Sequence, residues 1–192
     1  MSVRAVGAIS LVLVLGCGRD WRGLDRSADG FVAALPGEVV CGPHERTNSL
    51  GGSTVATESC SARVFAPWIV GGESAEYAIT WFRLPSELAD EGVDAVVARM
   101  FEGESEQARP IRRRSAVLAG ERAVEVEWVI EGSELSEGAS AEAASAFEYT
   151  TRTRYVLGQG VLVGLSVQGI LDSWHERTWT EFVASFRFSS AR

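Results

Sequence analysis

Residues Arg122 to Ile130 read RAVEVEWVI, alternating with a period of two. Only an extended strand sends every second side chain to the same side, so this run excludes a helix and demands a covering layer. Val124, Val126, Trp128 and Ile130 form the side expected to face a core. Ala123, Glu125, Glu127 and Val129 form the other, expected to be solvated. A second run, Tyr77 to Leu84, divides in the same way before Pro85 stops it. Tyr77, Ile79, Trp81 and Arg83 share one face, and Ala78, Thr80, Phe82 and Leu84 the other.

Further strands are predicted around these two. Phe31 to Pro36 is a short apolar run with Gly37 behind it, and Val39 to Cys41 resumes the extended pattern. Asn48 to Ser53 reads as a loop tip, and Thr54 to Val70 holds extended pieces. Ile111 to Ala119 runs into a turn at Gly120-Glu121, and Phe147 to Leu157 into a turn at Gly158-Gln159-Gly160, followed by Val161 to Gln168. Glu131 to Ser145 is acidic and aperiodic and reads as a long hairpin loop.

The period changes twice. Val93, Val96, Val97, Met100 and Phe101 fall on one helical stripe. Ser173-x-x-Glu176 is a capping box opening a final helix, with Leu171, Trp174, Thr178, Phe182 and Phe186 as its buried side. Short turns between strands imply antiparallel hairpins, and helices must cover an apolar sheet face. The fold class is therefore α+β: an antiparallel β-sheet with helices packed on it.

The N-terminus reads as an export leader. Arg4 gives a positive start, and Ala5 to Leu15 is apolar and too short to span a bilayer, which takes about 20 residues. It ends in Val14-Leu15-Gly16-Cys17, the pattern of a bacterial lipobox. The division expected is a lipoprotein signal peptide at 1–16, lipidated Cys17 with a polar tether at 17–30, and a single domain at 31–190. The alternative is an ordinary secretory signal with a chance cysteine. Lipidation, for instance with palmitate, would anchor the protein to the membrane of a bacterial cell envelope. Gly18 in place of an aspartate after the cysteine favours the outer membrane.

Three cysteines are an odd number for an exported chain. With Cys17 acylated, Cys41 and Cys60 remain as a pair, expected to form a disulfide in an oxidising compartment; two free buried thiols are the alternative. Cys41 and His44 supply only two metal ligands, so no metal site is expected there.

Charge narrows the partners. The 18 basic residues are all arginine, against 26 acidic residues, and the net charge is −8. Nucleic acid binding rests on clustered cations, so no nucleic acid partner is expected. The local exception is Arg112, Arg113 and Arg114, with Arg109 nearby, suited to an anion or partner contact or simply to a solvated strand end. Trp174 and Trp179, five apart on the final helix, cannot both face one narrow stripe, so one is a candidate partner anchor.

Catalytic signatures are not found. His175 sits in the first turn of the final helix as a solvated side chain without a second histidine, and Gly164-Leu-Ser-Val-Gln168 departs from a nucleophile elbow. Nothing calls for a cofactor. Glu125 and Glu127 are about 7 Å apart by strand geometry, a pair a glycosidase-type hydrolase could use; a solvated strand face explains them far more readily. The favoured reading is a non-enzymatic binding or assembly-accessory module anchored by lipid, with a protein or envelope component as partner. The alternative is an envelope hydrolase with a dispersed carboxylate site.

The spacing of the elements resembles the broad fold shared by PsbP-like and DcrB-like proteins. The matching pieces are Phe31-Val-Ala-Ala-Leu-Pro-Gly37, the strand ending at Pro85 and the helix ending at Phe101. They continue through the hairpins around Gly120 and Gly158-Gln-Gly160 to Phe182-Val-Ala-Ser-Phe186. The resemblance implies a sandwich of antiparallel sheet and helices. It also implies a group that is commonly exported, often lipid-anchored, and rich in assembly factors and envelope accessories. It carries over no functional residue.

Overall fold

A computed structural model of the protein describes residues 20–43, 48–50, 53–65, 74–88, 90–102, 112–131, 148–169 and 173–189. The leader, Cys17, His44, Arg109 and the acidic stretch beyond Glu131 lie outside the described residues. The strands are β1 (Trp21–Arg26), β2 (Phe31–Pro36), β3 (Val39–Pro43), β4 (Asn48–Leu50), β5 (Ser53–Val55), β6 (Glu58–Phe65) and β7 (Ser74–Arg83). They are followed by helix α1 (Val93–Met100), then β8 (Arg112–Leu118), β9 (Glu121–Glu131), β10 (Glu148–Gly158) and β11 (Val161–Gly169). Helix α2 (Ser173–Ser185) and the short β12 (Arg187–Phe188) complete the order.

The described residues are predominantly antiparallel sheet with two α-helices packed on it. Seven strands form the main sheet in the order β3-β6-β7-β11-β10-β9-β8. Its β8–β9 and β10–β11 hairpins close through pairs of residues with positive φ: Ala119 (53°) with Gly120 (86°), and Gln159 (53°) with Gly160 (72°). Such pairs match the right-handed twist of the strands they join. The first turn thus lies one residue earlier than the sequence implied. A smaller three-stranded sheet, β1-β2-β12, and α2 cover one face of the main sheet. Helix α1 and the β4–β5 hairpin lie on the other. Among the described residues no helix is long and apolar enough to cross a membrane.

Covering both faces explains the two apolar clusters. Phe31 and Leu35 of β2 and Trp179, Phe182 and Phe186 meet Tyr77, Ile79, Trp81 and Leu165 of the sheet in the first. Phe31 stands edge-on to Trp81 at 5.4 Å, and Tyr77 edge-on to Phe182 at 5.8 Å. Each aromatic buried there contributes on the order of 2–3 kcal/mol by its area alone. Val93, Val96 and Val97 of α1 meet Leu50, Phe82, Val124, Val126 and Leu162 in the second. The predicted stripe of α1 is thus the buried one.

Three expectations need correction. Residues 17–30 are not a free tether throughout, because β1 pairs along its whole length with β2, from Trp21↔Pro36 to Arg26↔Phe31. Trp21 and Leu24 lie three apart rather than two, so the run shows no alternation. The backbone of β2 nevertheless holds it, and both side chains pack on the first cluster. The face of β9 carrying Ala123 and Glu125 is buried, not solvated. Finally, Thr178, Phe182 and Phe186 are buried as predicted, but α2 also buries His175 and Trp179, so the buried side is wider than the predicted stripe and His175 is a core side chain.

Small polar contacts fix α2 in place. The hydroxyl of Tyr77 donates to the carbonyl of His175 at 3.2 Å. At the other end, Ser185 Oγ accepts from the amide of Ala34 at 3.0 Å and lies 2.7 Å from the Phe182 carbonyl oxygen. The Glu176 carboxylate accepts from Arg152 on both oxygens at 2.8 Å, a partner the capping box did not foresee.

Candidate functional site

Strand pairing assembles a charged surface from three segments. Each of β8, β9 and β10 carries like charges two residues apart, and a strand puts such residues on one face. In register, Arg114 faces Glu125 and Glu125 faces Arg154. One step along, Arg112 faces Glu127 and Glu127 faces Arg152. The result is two parallel Arg–Glu–Arg rows at the β8 edge of the sheet.

The inner row is tightly bonded. Arg114 Nε donates to Glu125 Oε1 at 2.8 Å, and Arg154 Nε to Glu125 Oε2 at 2.9 Å. Glu125 is 2% exposed, whereas the Arg114 side chain is 48% exposed at the rim. The Arg154 guanidinium lies 5.9 Å from the ring of Trp179, which extends the contact to α2. Burial pushes the Glu125 carboxyl up, but the hydrogen bonds and charges of Arg154 and Arg114 outweigh it and hold the carboxyl below its usual range. Arg152 is raised by its hydrogen bonds to Glu176, against the opposing effect of burial, and by the charges of Glu176, Glu125 and Glu127. On the far face of β8, Arg113 donates to the backbone carbonyl of Asp94, and Arg122 of β9 pairs with the Asp94 carboxylate at 2.8 Å.

This arrangement is poorly suited to hydrolysis. A general acid needs a carboxyl whose pKa is raised, and Glu125 is shifted the other way, with both oxygens engaged. Two shallow depressions lie away from this row, on α2 around Glu176 and Thr180 and at the start of β1 around Asp20 and Val39. Glu125 is thus held as an ion-paired carboxylate between Arg114 and Arg154.

Of the predicted contact residues, Arg112, Arg113 and Arg114 come together on β8, all exposed. Trp179 is 4% exposed and belongs to the core, so it is unavailable as a partner anchor. Trp174 opens α2, with its side chain outside the described residues. Cys41 and Cys60 face each other across β3 and β6 and form a disulfide with 4.1 Å between their Cα atoms. Sequence reading missed Arg152, Arg154 and Glu176. The matched spacings Arg-x-Arg, Glu-x-Glu and Arg-x-Arg on successive strands were the signal for the first two.

No family model and no curated protein matches the chain. Among solved structures, it is similar to the solution structure of cyanobacterial PsbP (CyanoP) from Synechocystis sp. PCC 6803. The TM-score is 0.48 at 12% identity, over 97% of this chain and 99% of that one.

Proposed function

We propose that the protein is a lipid-anchored component of a bacterial cell envelope, acylated at Cys17, whose α+β domain binds a partner instead of catalysing a reaction. The sandwich is read as PsbP-like or DcrB-like. The outer membrane is the favoured location. The Cys41–Cys60 disulfide supports export, because such bonds persist in oxidising compartments. The partner contact is assigned to β8. The observation that carries this is three consecutive exposed arginines on an edge strand of the main sheet, in a chain of net charge −8. An edge strand offers unpaired backbone groups to an added strand. Arginine beside it favours carboxylates, so the partner is a protein presenting an extended acidic segment.

Charge reversal tests this. Arg112→Glu with Arg113→Glu leaves Glu125 and its two partners intact. In-cell crosslinking from β8 is expected to capture a defined acidic partner with the natural sequence and to lose it in the variant. Capture that survives the reversal, in a protein of unchanged circular dichroism, would refute the assignment.

A further inference from the structure

We infer that the acidic segment docking on β8 is selected by the spacing of its carboxylates: two of them stand two residues apart, beside Arg112 and Arg114, with an apolar residue three positions beyond, beside Val117. This rests on the proposed docking at β8 and states what that edge reads. The sign of charge alternates from strand to strand across the sheet. Arg154, Glu125 and Arg114 stand side by side in one row, and Arg152, Glu127 and Arg112 in the next. The carboxylate of Glu176 closes the second row at its inner end, through Arg152. Among the described residues both rows end on an arginine at the open edge of the sheet. Arg114 reaches Glu125 through Nε and Nη2. A guanidinium carries five N–H donors, enough for a second carboxylate.

Opposed side chains on one face of two paired strands have Cβ atoms about 5 Å apart, where unlike charges attract and like charges destabilise. A strand added to β8 thus continues both rows by setting an anion beside each arginine. Positions on one face recur every second residue, about 7 Å apart, so Asp or Glu at two alternate positions fits. Carboxylates one or three residues apart fall on opposite faces, and only one of them then reaches Arg112 or Arg114. The opposite face is a poorer place for an anion. There Arg113 already donates to the Asp94 carbonyl, and the Asp94 carboxylate, paired with Arg122, adds negative charge beside it. Val117 lies on that second face, opposite Arg122 and 65% exposed. A β-branched or aromatic residue of the added strand covers it. Every strand pair of the main sheet is antiparallel. An added strand that keeps this pattern reads, from its N-terminus, apolar-x-x-acidic-x-acidic, and a parallel one reads the reverse.

The test uses the full chain in mild detergent and a labelled synthetic peptide, Val-Thr-Ser-Glu-Thr-Glu-Ser-Thr-Val, whose pattern reads the same in both directions. Two isomers of the same composition set the glutamates one and three residues apart. Fluorescence anisotropy is expected to show the first peptide binding about fivefold more tightly than either isomer. Arg112→Glu is expected to weaken that binding by about as much. Replacing one glutamate of the peptide with lysine is expected to restore affinity for the variant, and which glutamate does so reports the strand direction. Equal affinity for the three peptides, lost in Arg112→Glu with Arg113→Glu, would overturn the spacing and leave docking at β8 standing. An Arg112→Glu variant of unchanged circular dichroism that neither lysine peptide rescues would overturn the pairing with Arg112. No binding of any peptide would overturn the inference as a whole, and the crosslinking from β8 then judges the docking separately.

Discussion

Replacing Arg154 with leucine isolates the energetics of the Arg–Glu–Arg rows. Glu125 is buried, and its carboxylate is shared between Arg154, whose side chain is 19% exposed, and the more solvated Arg114. Removing one partner of a buried pair costs about 3–5 kcal/mol, because the remaining charge stays desolvated. Arg114 still holds one oxygen, so the expected loss is near the lower end, about 3 kcal/mol, or roughly 6–12 °C in melting temperature for a chain of this size. The pH dependence gives a second handle. In the natural protein the folded Glu125 carboxyl lies below its unfolded value. Its contribution is therefore present above the unfolded value and fades as pH falls through the lowered one. Without Arg154, burial governs the balance and the carboxyl moves up. The variant's deficit is then full at pH 7 and shrinks as acid protonates Glu125. Adding Glu125→Leu removes the stranded charge and is expected to recover most of the loss. Urea denaturation followed by tryptophan fluorescence at pH 7 and pH 4 reads all three proteins. A loss under about 1 kcal/mol at pH 7, or a deficit as large at pH 4, would refute the reasoning.

Two further outcomes are expected. Cys41→Ala with Cys60→Ala opens a loop with a sequence separation of 19 and is expected to cost about 3 kcal/mol; a urea midpoint that does not move, with or without reductant, would contradict this. Gly164→Ala places a Cβ 2.9 Å from Tyr155 Cε1 and 3.0 Å from Thr80 Oγ1, so a loss of about 1–3 kcal/mol is expected from thermal melts, and an unchanged melting temperature would show that the neighbours give way.

How much was legible depended on whether the pattern of a segment matched its environment. The Tyr77 strand was assigned correctly on both faces because each face carries large apolar residues that end in separate clusters. The α1 stripe was legible for the same reason, since one side alone is apolar. Strand β1 was missed because its stability comes from backbone pairing with β2, which leaves no periodic trace in Trp21-Arg-Gly-Leu-Asp-Arg26. The burial of Glu125 was missed because a carboxylate on an alternating strand reads as solvent-facing. Only the register that sets Arg114 and Arg154 on either side reveals how the charge is accommodated. The burial of His175 and Trp179 is not legible because α2 is covered over a wider side than its apolar stripe, and the Ser173 pattern does not fix that width.

The pairing of β12 with β2 joins residues near both ends of the described fold, Phe188 opposite Phe31 and Arg187 opposite Val32. Synthesis proceeds from the N-terminus at about 5–20 residues per second, so β1 and β2 emerge roughly 7–30 s before β12 and α2 can meet them. During that interval Phe31 and Leu35 lack the Phe182 and Phe186 side chains that later share their cluster. The β8–β9 and β10–β11 hairpins close over short stretches of chain, whereas the small sheet waits for the last residues. The half-made protein therefore carries uncovered apolar side chains at the end that is born first. A chain cut short before Phe186 would keep that surface open and become a target for chaperones and proteases.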